Sequence, residues 1–416
     1  MTGMIHTKHH DLSRRAFLGR SALVSATLIT PSMGLAAPQQ VEEKAGEFKR
    51  KIKLGVVGCG GRGSWIAKLF QKHGGYEMHG VADYFQEVAD KCGDVLNVDK
   101  SRRFSSLSGY KKLIESGVEA VAFEIPPYFF PEHTKAAVEA GLHVYMAKPV
   151  AVDVPGALLV ESLGKKATQK NRCFLVDYQM PTDPVNLEVV KRIREGALGK
   201  IAQMATTGFC GGFEDPPLGP TIEDRLQHLI WVNDIALGCD YIGNFDIHAL
   251  DAALWVAGQK PVSACGASRI CRPDPHGDSA DVCSAVFEFA DGLVWNHCGE
   301  ALKNDPEGAL ICRAYGGKAM AQINYWGQAF IRGGKLHYPG GNVENLYEAG
   351  AVRNIATFYG NVTEGRFDNP TVPRAVDGVL TSVLGREAAA RHTRLTMEQV
   401  IRENKKLEVN LHGLKA

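Results

Sequence analysis

Apolar residues along the first third of the chain fall in short runs and not in long stripes. Ile52, Leu54, Val56 and Val57 make one such run, β-branched and closed by glycine, which predicts a strand covered on both faces. Residues 64–70 resume with helical character, and residues 76–82 give a second strand that ends at Asp83. The alternation continues with a helix over 110–116, a strand over 118–123, a helix over 134–140 closed by Gly141, and a strand over 142–146 ending in Ala147-Lys148-Pro149. Regular alternation of this kind predicts a doubly wound parallel sheet. Beyond residue 200 the pattern becomes strand after strand, over 200–207, 262–270, 280–289, 292–297, 308–315 and 318–325. That predicts an open, largely antiparallel sheet with helices on one face. The fold class is therefore α/β: a doubly wound domain over 51–170, an α+β second domain over 171–370 and a C-terminal helical segment over 371–416.

Between the first strand and the first helix, Gly58, Gly60 and Gly63 have the spacing G-x-G-x-x-G, with Gly61 and Arg62 between them. One glycine permits the turn, one lets the backbone approach a pyrophosphate, and one lets the helix sit close to the strand. The helix N-terminus then offers free N–H groups and a positive dipole end to phosphate. Asp83 lies about 20 residues further on, at the end of the second strand. An acid there accepts hydrogen bonds from ribose hydroxyls and repels a 2′-phosphate. The stretch reads as a Rossmann dinucleotide site built by Gly58, Gly60, Gly61, Arg62, Gly63 and Asp83, preferring NAD over NADP, although Arg62 weighs slightly the other way. Ligands in such sheets lie at the carboxyl ends of the strands, so Glu124, Pro126, His133 and Lys148 are expected to line one crevice.

The N-terminus changes the setting. Ser13-Arg14-Arg15-Ala16-Phe17-Leu18 precedes a short apolar run over 22–29 and small residues around Gly34-Leu35-Ala36-Ala37. This is the pattern of a twin-arginine signal over 1–37, too short in its apolar part to span a bilayer comfortably. A polar lead-in over 38–50 follows, and the mature protein is expected to be periplasmic or otherwise exported, without a stable membrane span. The 416 residues carry a formal net charge of +1 and are 45% hydrophobic, a soluble globular composition with no basic block that would suggest nucleic acid. The ten cysteines are scattered singly, with no metal-ligand spacing, so no metal is expected. Cys59, inside the glycine turn, reads as packing.

The glycine turn, the proline-containing strand end with His133, the helix closing in Ala140-Gly141-Leu142-His143-Val144, and Lys148-Pro149 together resemble the glucose-fructose oxidoreductase / inositol dehydrogenase family (Gfo/Idh/MocA). Residues 195–201, His248-Ala249-Leu250-Asp251 and residues 381–386 are similar to later segments of that family. The resemblance implies an oxidoreductase in which Lys148 and His248 attend the reacting hydroxyl, Asp251 orients His248 or the substrate, Tyr178, Asn244 and Asp246 lie near the substrate, and the outer sheet face forms a homo-oligomer. Two positions depart from the family. Its usual Glu-Lys-Pro is Ala147-Lys148-Pro149 here, and its acid four residues before the histidine is Asn244. Losing a carboxylate beside Lys148 removes a neighbour that would favour the ammonium form.

Oxidising a sugar hydroxyl requires a base for the O–H proton, and a desolvated lysine is suited to that. Trp231, Tyr241, Trp295 and Trp326 could stack on sugar rings, although core packing is the commoner use of such residues. The loops over 214–217 and 274–278 are polar and could reach the site. An exported enzyme has little access to free NAD, so a tightly held cofactor returned to its starting state in each cycle is expected. Two chemistries satisfy this: oxidoreduction of a sugar or glycoside, and redox-neutral glycoside cleavage through a transient keto-sugar. A non-catalytic, NAD-containing sugar-binding protein is a third reading, which Ala147 and Asn244 keep open.

Overall fold

The computed structural model describes residues 48, 50–304 and 307–416. The twin-arginine stretch over 1–37 and nearly all of the lead-in over 38–50 lie outside the described residues.

The apolar runs of the first part become β1 (Ile52–Val57), β2 (Tyr76–Asp83), β3 (Arg103–Ser105), β4 (Ala120–Phe123), β5 (His143–Met146) and β6 (Phe174–Val176). They form one sheet in the order β3-β2-β1-β4-β5-β6, with every pair parallel. The order reverses between β1 and β4, which opens a crevice beyond their carboxyl ends. Helices α1 (Gly61–His73), α2 (Gln86–Leu96), α3 (Gly109–Glu115), α4 (Phe130–Glu139) and α5 (Val154–Gln169) make the crossovers. Helix α1 buries Ile66, Ala67, Leu69 and Phe70, a stripe at helical spacing that seats it on the sheet. Asp153 caps α5 by accepting from the Gly156 N–H at 2.8 Å, satisfying one of the open donors of its first turn.

After helix α6 (Pro184–Arg194), the second part supplies β7 (Ile201–Phe209), β8 (Ser263–Arg269), β9 (Val282–Glu288), β10 (Val294–Glu300), β11 (Ala309–Gly316), β12 (Met320–Asn324), β13 (Gly327–Arg332), β14 (Tyr338–Val343) and β15 (Leu395–Thr396). They form a nine-stranded sheet in the order β14-β13-β12-β11-β7-β10-β9-β8-β15. Its pairs are antiparallel except β7 with β10. The strands expected over 200–325 all form, while β13 to β15 add three more. β14 carries Pro339, Gly340 and Gly341, residues that weaken any strand pattern in sequence. One face of the sheet is covered by α7 (Ile247–Ala257), which is apolar nearly all round and buried, and by α9 (Thr371–Ala390). Among the described residues no helix is long and apolar enough to cross a membrane.

Helix α8 (Leu346–Glu364) follows β14 in sequence yet packs on α1 of the parallel-sheet domain. Its Ala351, Ile355, Phe358 and Val362 share a core with Ile52, Leu54, Ile66 and Phe70. The segment expected to be helical over 371–416 is so only in part. Helix α10 (Met397–Glu403) ends at Asn404 in a left-handed conformation, and residues 405–416 run as irregular chain. That tail returns to the parallel sheet: the Leu407 N–H donates to Asp153 at 2.8 Å, the Leu107 N–H to the Lys415 carbonyl at 3.0 Å and the Lys415 N–H to the Tyr84 hydroxyl at 3.0 Å. Leu407, Val409 and Leu411 alternate with polar residues and are half-buried, yet they form no strand.

Candidate functional site

The phosphate end of the crevice is made by backbone. Gly58 ends β1 at φ 89°, a left-handed conformation that favours glycine, and its N–H donates to the Ala82 carbonyl at 2.8 Å. A Cβ on Gly58 would strike the Glu124 carbonyl, and one on Gly63 the Gly58 carbonyl. These two glycines therefore let strand, turn and helix touch. Gly60 and Gly61 differ: a Cβ on either would meet no atom within 4 Å. They face the space that a pyrophosphate needs, and α1 begins beside them with no side-chain cap on its N–H groups and no acid in its first turn. At the end of β2, Asp83 accepts from the Cys59 N–H at 2.7 Å and the Phe85 N–H at 3.0 Å. Burial raises its pKa and these N–H groups oppose the shift. The cradle, the open faces of Gly60 and Gly61, and the fixed carboxylate fit a dinucleotide. Bound there, NAD would supply the hydride acceptor or donor.

The other end is a cluster of charged side chains from distant segments. Lys148 lies just past β5 and is joined to Pro149 by a cis bond, and its Nζ donates to the Asn244 carbonyl at 2.5 Å. Burial, with the Arg62 guanidinium nearby, lowers its pKa to about 7, while Asp177, Glu124 and Cys210 oppose the fall. Arg62 lies 2.9 Å from Glu124 and pairs with Asp177, which also accepts from Asn354 at 2.7 Å and Gln179 at 3.0 Å. Trp65 and Tyr347, stacked with centroids 4.5 Å apart, flank the same guanidinium at 5.5 and 5.2 Å. Burial raises the Glu124 carboxyl to about 7 against the pull of Arg62. His248, second residue of α7, is 7% exposed. Its ring meets Tyr325 edge-on at 5.0 Å, its Nδ1 has no hydrogen-bond partner, and burial, then Lys148 and Arg62, hold its pKa well down. A neutral imidazole and a lysine poised near neutrality thus share one crevice.

Residues 52–178 match the Gfo/Idh/MocA family described as an oxidoreductase family with an NAD-binding Rossmann fold, and residues 186–321 match the Gfo/Idh/MocA C-terminal domain. The chain belongs to this family. Its first domain is thus an NAD-binding Rossmann domain. Among curated proteins the chain is similar to a glycosyl hydrolase family 109 protein of Shewanella pealeana, 23% identical over 205 residues, which are 46% of this chain and 44% of that protein. It is also similar to an inositol 2-dehydrogenase of Corynebacterium glutamicum, 21% identical over 217 residues, 52% of this chain and 57% of that protein. The chain spans about half the length of these two relatives. Among solved structures, aldose-aldose oxidoreductase from Caulobacter crescentus complexed with glycerol superposes with a TM-score of 0.67 at 19% identity, covering 83% of this chain and 100% of that one. Levoglucosan dehydrogenase in complex with NADH and levoglucosan gives a TM-score of 0.70 at 16% identity, covering 84% and 100%. At these identities the structures show the fold.

Within this family fold, several residues expected at the site stand elsewhere. Arg62 is engaged by Glu124 and Asp177 at the lysine end of the crevice. His133 is buried against Tyr110, the rings stacked at 3.6 Å; it is 8% exposed, its Nδ1 has no hydrogen-bond partner, and burial brings its pKa to about 3. Asp251 neither touches His248 nor faces open space, because Arg374 on α9 takes both its oxygens. Asp246 is bound by His297 Nε2 at 3.0 Å under the glycines of β7 and β10, Gly208 and Gly299. Asn244 serves through its backbone carbonyl, its side chain donating to Gly238 at 3.1 Å. Tyr178 is buried with its hydroxyl unpartnered and its ring edge-on to His248 at 6.1 Å. Pro126 remains part-exposed at the end of β4, next to the turn.

Trp295 is core, stacked on Phe287 at 4.4 Å, and Tyr241 and Trp326 are tied to backbone. The loops 214–217 and 274–278 bind each other, His276 Nδ1 lying 3.0 Å from the Pro216 carbonyl. Sequence reasoning missed Asp177, Gln179, Tyr325, Tyr347 and Asn354. They lie up to 292 positions from Arg62 in the chain, and no local pattern links them.

Proposed function

We propose that this protein is an exported, NAD-dependent oxidoreductase that removes hydride from a hydroxyl-bearing carbon of a sugar or glycoside, with Lys148 as the base. The observation that carries this reading is Lys148 itself, seated at the strand-end crevice and poised near pH 7. A general base works best with a pKa near the operating pH. The Asn244 carbonyl holds the amine by one N–H and leaves its lone pair, when neutral, free for a hydroxyl proton. His248, neutral and with Nδ1 unsatisfied, positions that hydroxyl by a hydrogen bond. Tyr325 and Tyr178, around His248, exclude water from it. Asp83 and the open face of Gly60 bind the adenosine and pyrophosphate parts. Export rests on the twin-arginine pattern, and tight retention of the cofactor follows from export.

The test is to purify the exported form without added cofactor, measure NAD content after denaturation, and mix the protein with a panel of sugars. Growth of the reduced-nicotinamide absorbance in proportion to sugar, lost in Lys148→Met, is the expected result. Undiminished turnover by that variant would remove Lys148 from its role. A second reading, redox-neutral glycoside cleavage, is favoured by the similarity to a glycosyl hydrolase family 109 protein. Aglycone release from aryl glycosides without net reduction would select it. No turnover with any member of either panel would select the non-catalytic sugar-binding protein.

A further inference from the structure

The strand-end lysine of this chain lacks an acid at the preceding position, where Ala147 stands. The sheet supplies one from next door. Strands β4 and β5 are parallel with Phe123 opposite Met146, and the Ala147 N–H donates to the Phe123 carbonyl at 3.1 Å. The next residue along β4 is Glu124, which therefore lies beside Ala147, one strand over. Its side chain is 1% exposed. Neither carboxylate oxygen has a hydrogen-bond partner in good geometry, although Arg62 stands 2.9 Å away. A carboxyl buried at this depth with so little to satisfy it is costly, and nothing in the packing of β4 calls for an acid: Ala120 to Phe123 are apolar and buried.

We propose that Glu124 is a positioning residue for Lys148: from the position just beyond β4, beside Ala147, its carboxylate holds Arg62 in place and balances the charge around the amine. The idea rests on the reading of Lys148 as the base. Five groups face Lys148: Glu124 from β4, Arg62 from α1, Asp177 after β6, Cys210 after β7 and His248 from α7. Arg62 disfavours the ammonium form, and Glu124 and Asp177 favour it. With Glu124 neutralised, Arg62 acts on Lys148 with Asp177 and Cys210 in opposition. The amine then titrates at lower pH, and Arg62 loses one of its two anchors.

The measurement is the titration of Lys148 itself. The purified protein is reductively methylated with 13C-formaldehyde, and the dimethyl-lysine signal absent from a Lys148→Arg control is followed by NMR against pH. Wild type is expected to titrate near neutrality, Glu124→Gln about one unit lower, and the exchange variant Glu124→Ala with Ala147→Glu back at the wild-type position. An unchanged midpoint in folded Glu124→Gln would overturn the proposal and leave Glu124 as an anchor for Arg62 alone. If Glu124→Gln does not fold, the exchange variant decides: a folded protein with the wild-type midpoint supports a carboxylate at this place setting the lysine's titration, and an unfolded one or a displaced midpoint overturns it. No turnover is needed for this readout. A shifted midpoint together with full activity in Lys148→Met would sink the base assignment while leaving the electrostatic link between Glu124 and Lys148 standing.

Discussion

The two ends of the crevice are built from different materials. At the phosphate end the working groups are main-chain N–H groups and missing side chains, all within one continuous turn and the end of the neighbouring strand: Gly58, Gly60, Gly63 and Asp83. At the lysine end they are side chains from the ends of β4, β5, β6 and β7 and from α1, α7, α8 and β12, each holding another: Arg62 between Glu124 and Asp177, Asp177 held by Asn354, Lys148 on the Asn244 carbonyl. The first arrangement depends on space. The second depends on charge balance in a poorly solvated cleft, where each ionic group shifts its neighbours.

The sharpest break between the ends is a pair of glycine variants. Gly63→Ala drives a Cβ into the Gly58 carbonyl, so turn and helix must separate, at a cost of about 3 kcal/mol or more. A thermal melt should show a large drop together with loss of bound NAD. Gly60→Ala meets nothing, so its melting temperature without cofactor should stay near wild type while NAD content falls; retention of NAD there would mean the cradle is misplaced. At the lysine end, Lys148→Met should retain NAD yet slow single-turnover reduction by about 100-fold or more. With Lys148 as the proposed base, the neutral amine is the form that takes the proton, so kcat/KM should rise between pH 6 and pH 8 with its midpoint close to the lysine's value of about 7; a profile flat across that range would detach the rate from Lys148.

Smaller effects refine the phosphate end. Asp83→Asn keeps one acceptor and removes the charge, so NAD affinity should fall about tenfold, on the order of 1.4 kcal/mol, while discrimination against NADP weakens; equilibrium dialysis with both nucleotides reads the two effects together. The smallest concerns Tyr84, whose hydroxyl accepts from the Lys415 N–H at 3.0 Å and donates to Glu223 at 2.9 Å, tying the tail and a loop beside the ribose position. Tyr84→Phe should speed NAD dissociation only a few-fold, consistent with about 1 kcal/mol for a hydrogen bond. An effect larger than that of Asp83→Asn would make the tail, and not the carboxylate, the main hold on the adenosine end.

Short-range spacing along the chain encodes one part of this protein. The strand-turn-helix unit, the glycine positions, Asp83 at a strand end, Lys148 after β5 and His248 on a helix were all legible, because a few consecutive residues set each of them through apolar period and backbone sterics. Which of the remaining polar residues gather at the site depends on how distant segments pack. Asp251 and Asp246 read as acids near His248, yet α9 presents Arg374 to the one and β10 presents His297 to the other. His133 read as a crevice residue and is buried where α3 sets Tyr110 against it. Asp177, Tyr325 and Asn354 carry no local signal, and Glu124 gains its place beside Ala147 only through the β4–β5 register. The reason is physical: a buried charge takes its state from whatever faces it across several ångströms, and in a chain that crosses between two sheets those partners come from segments hundreds of residues apart.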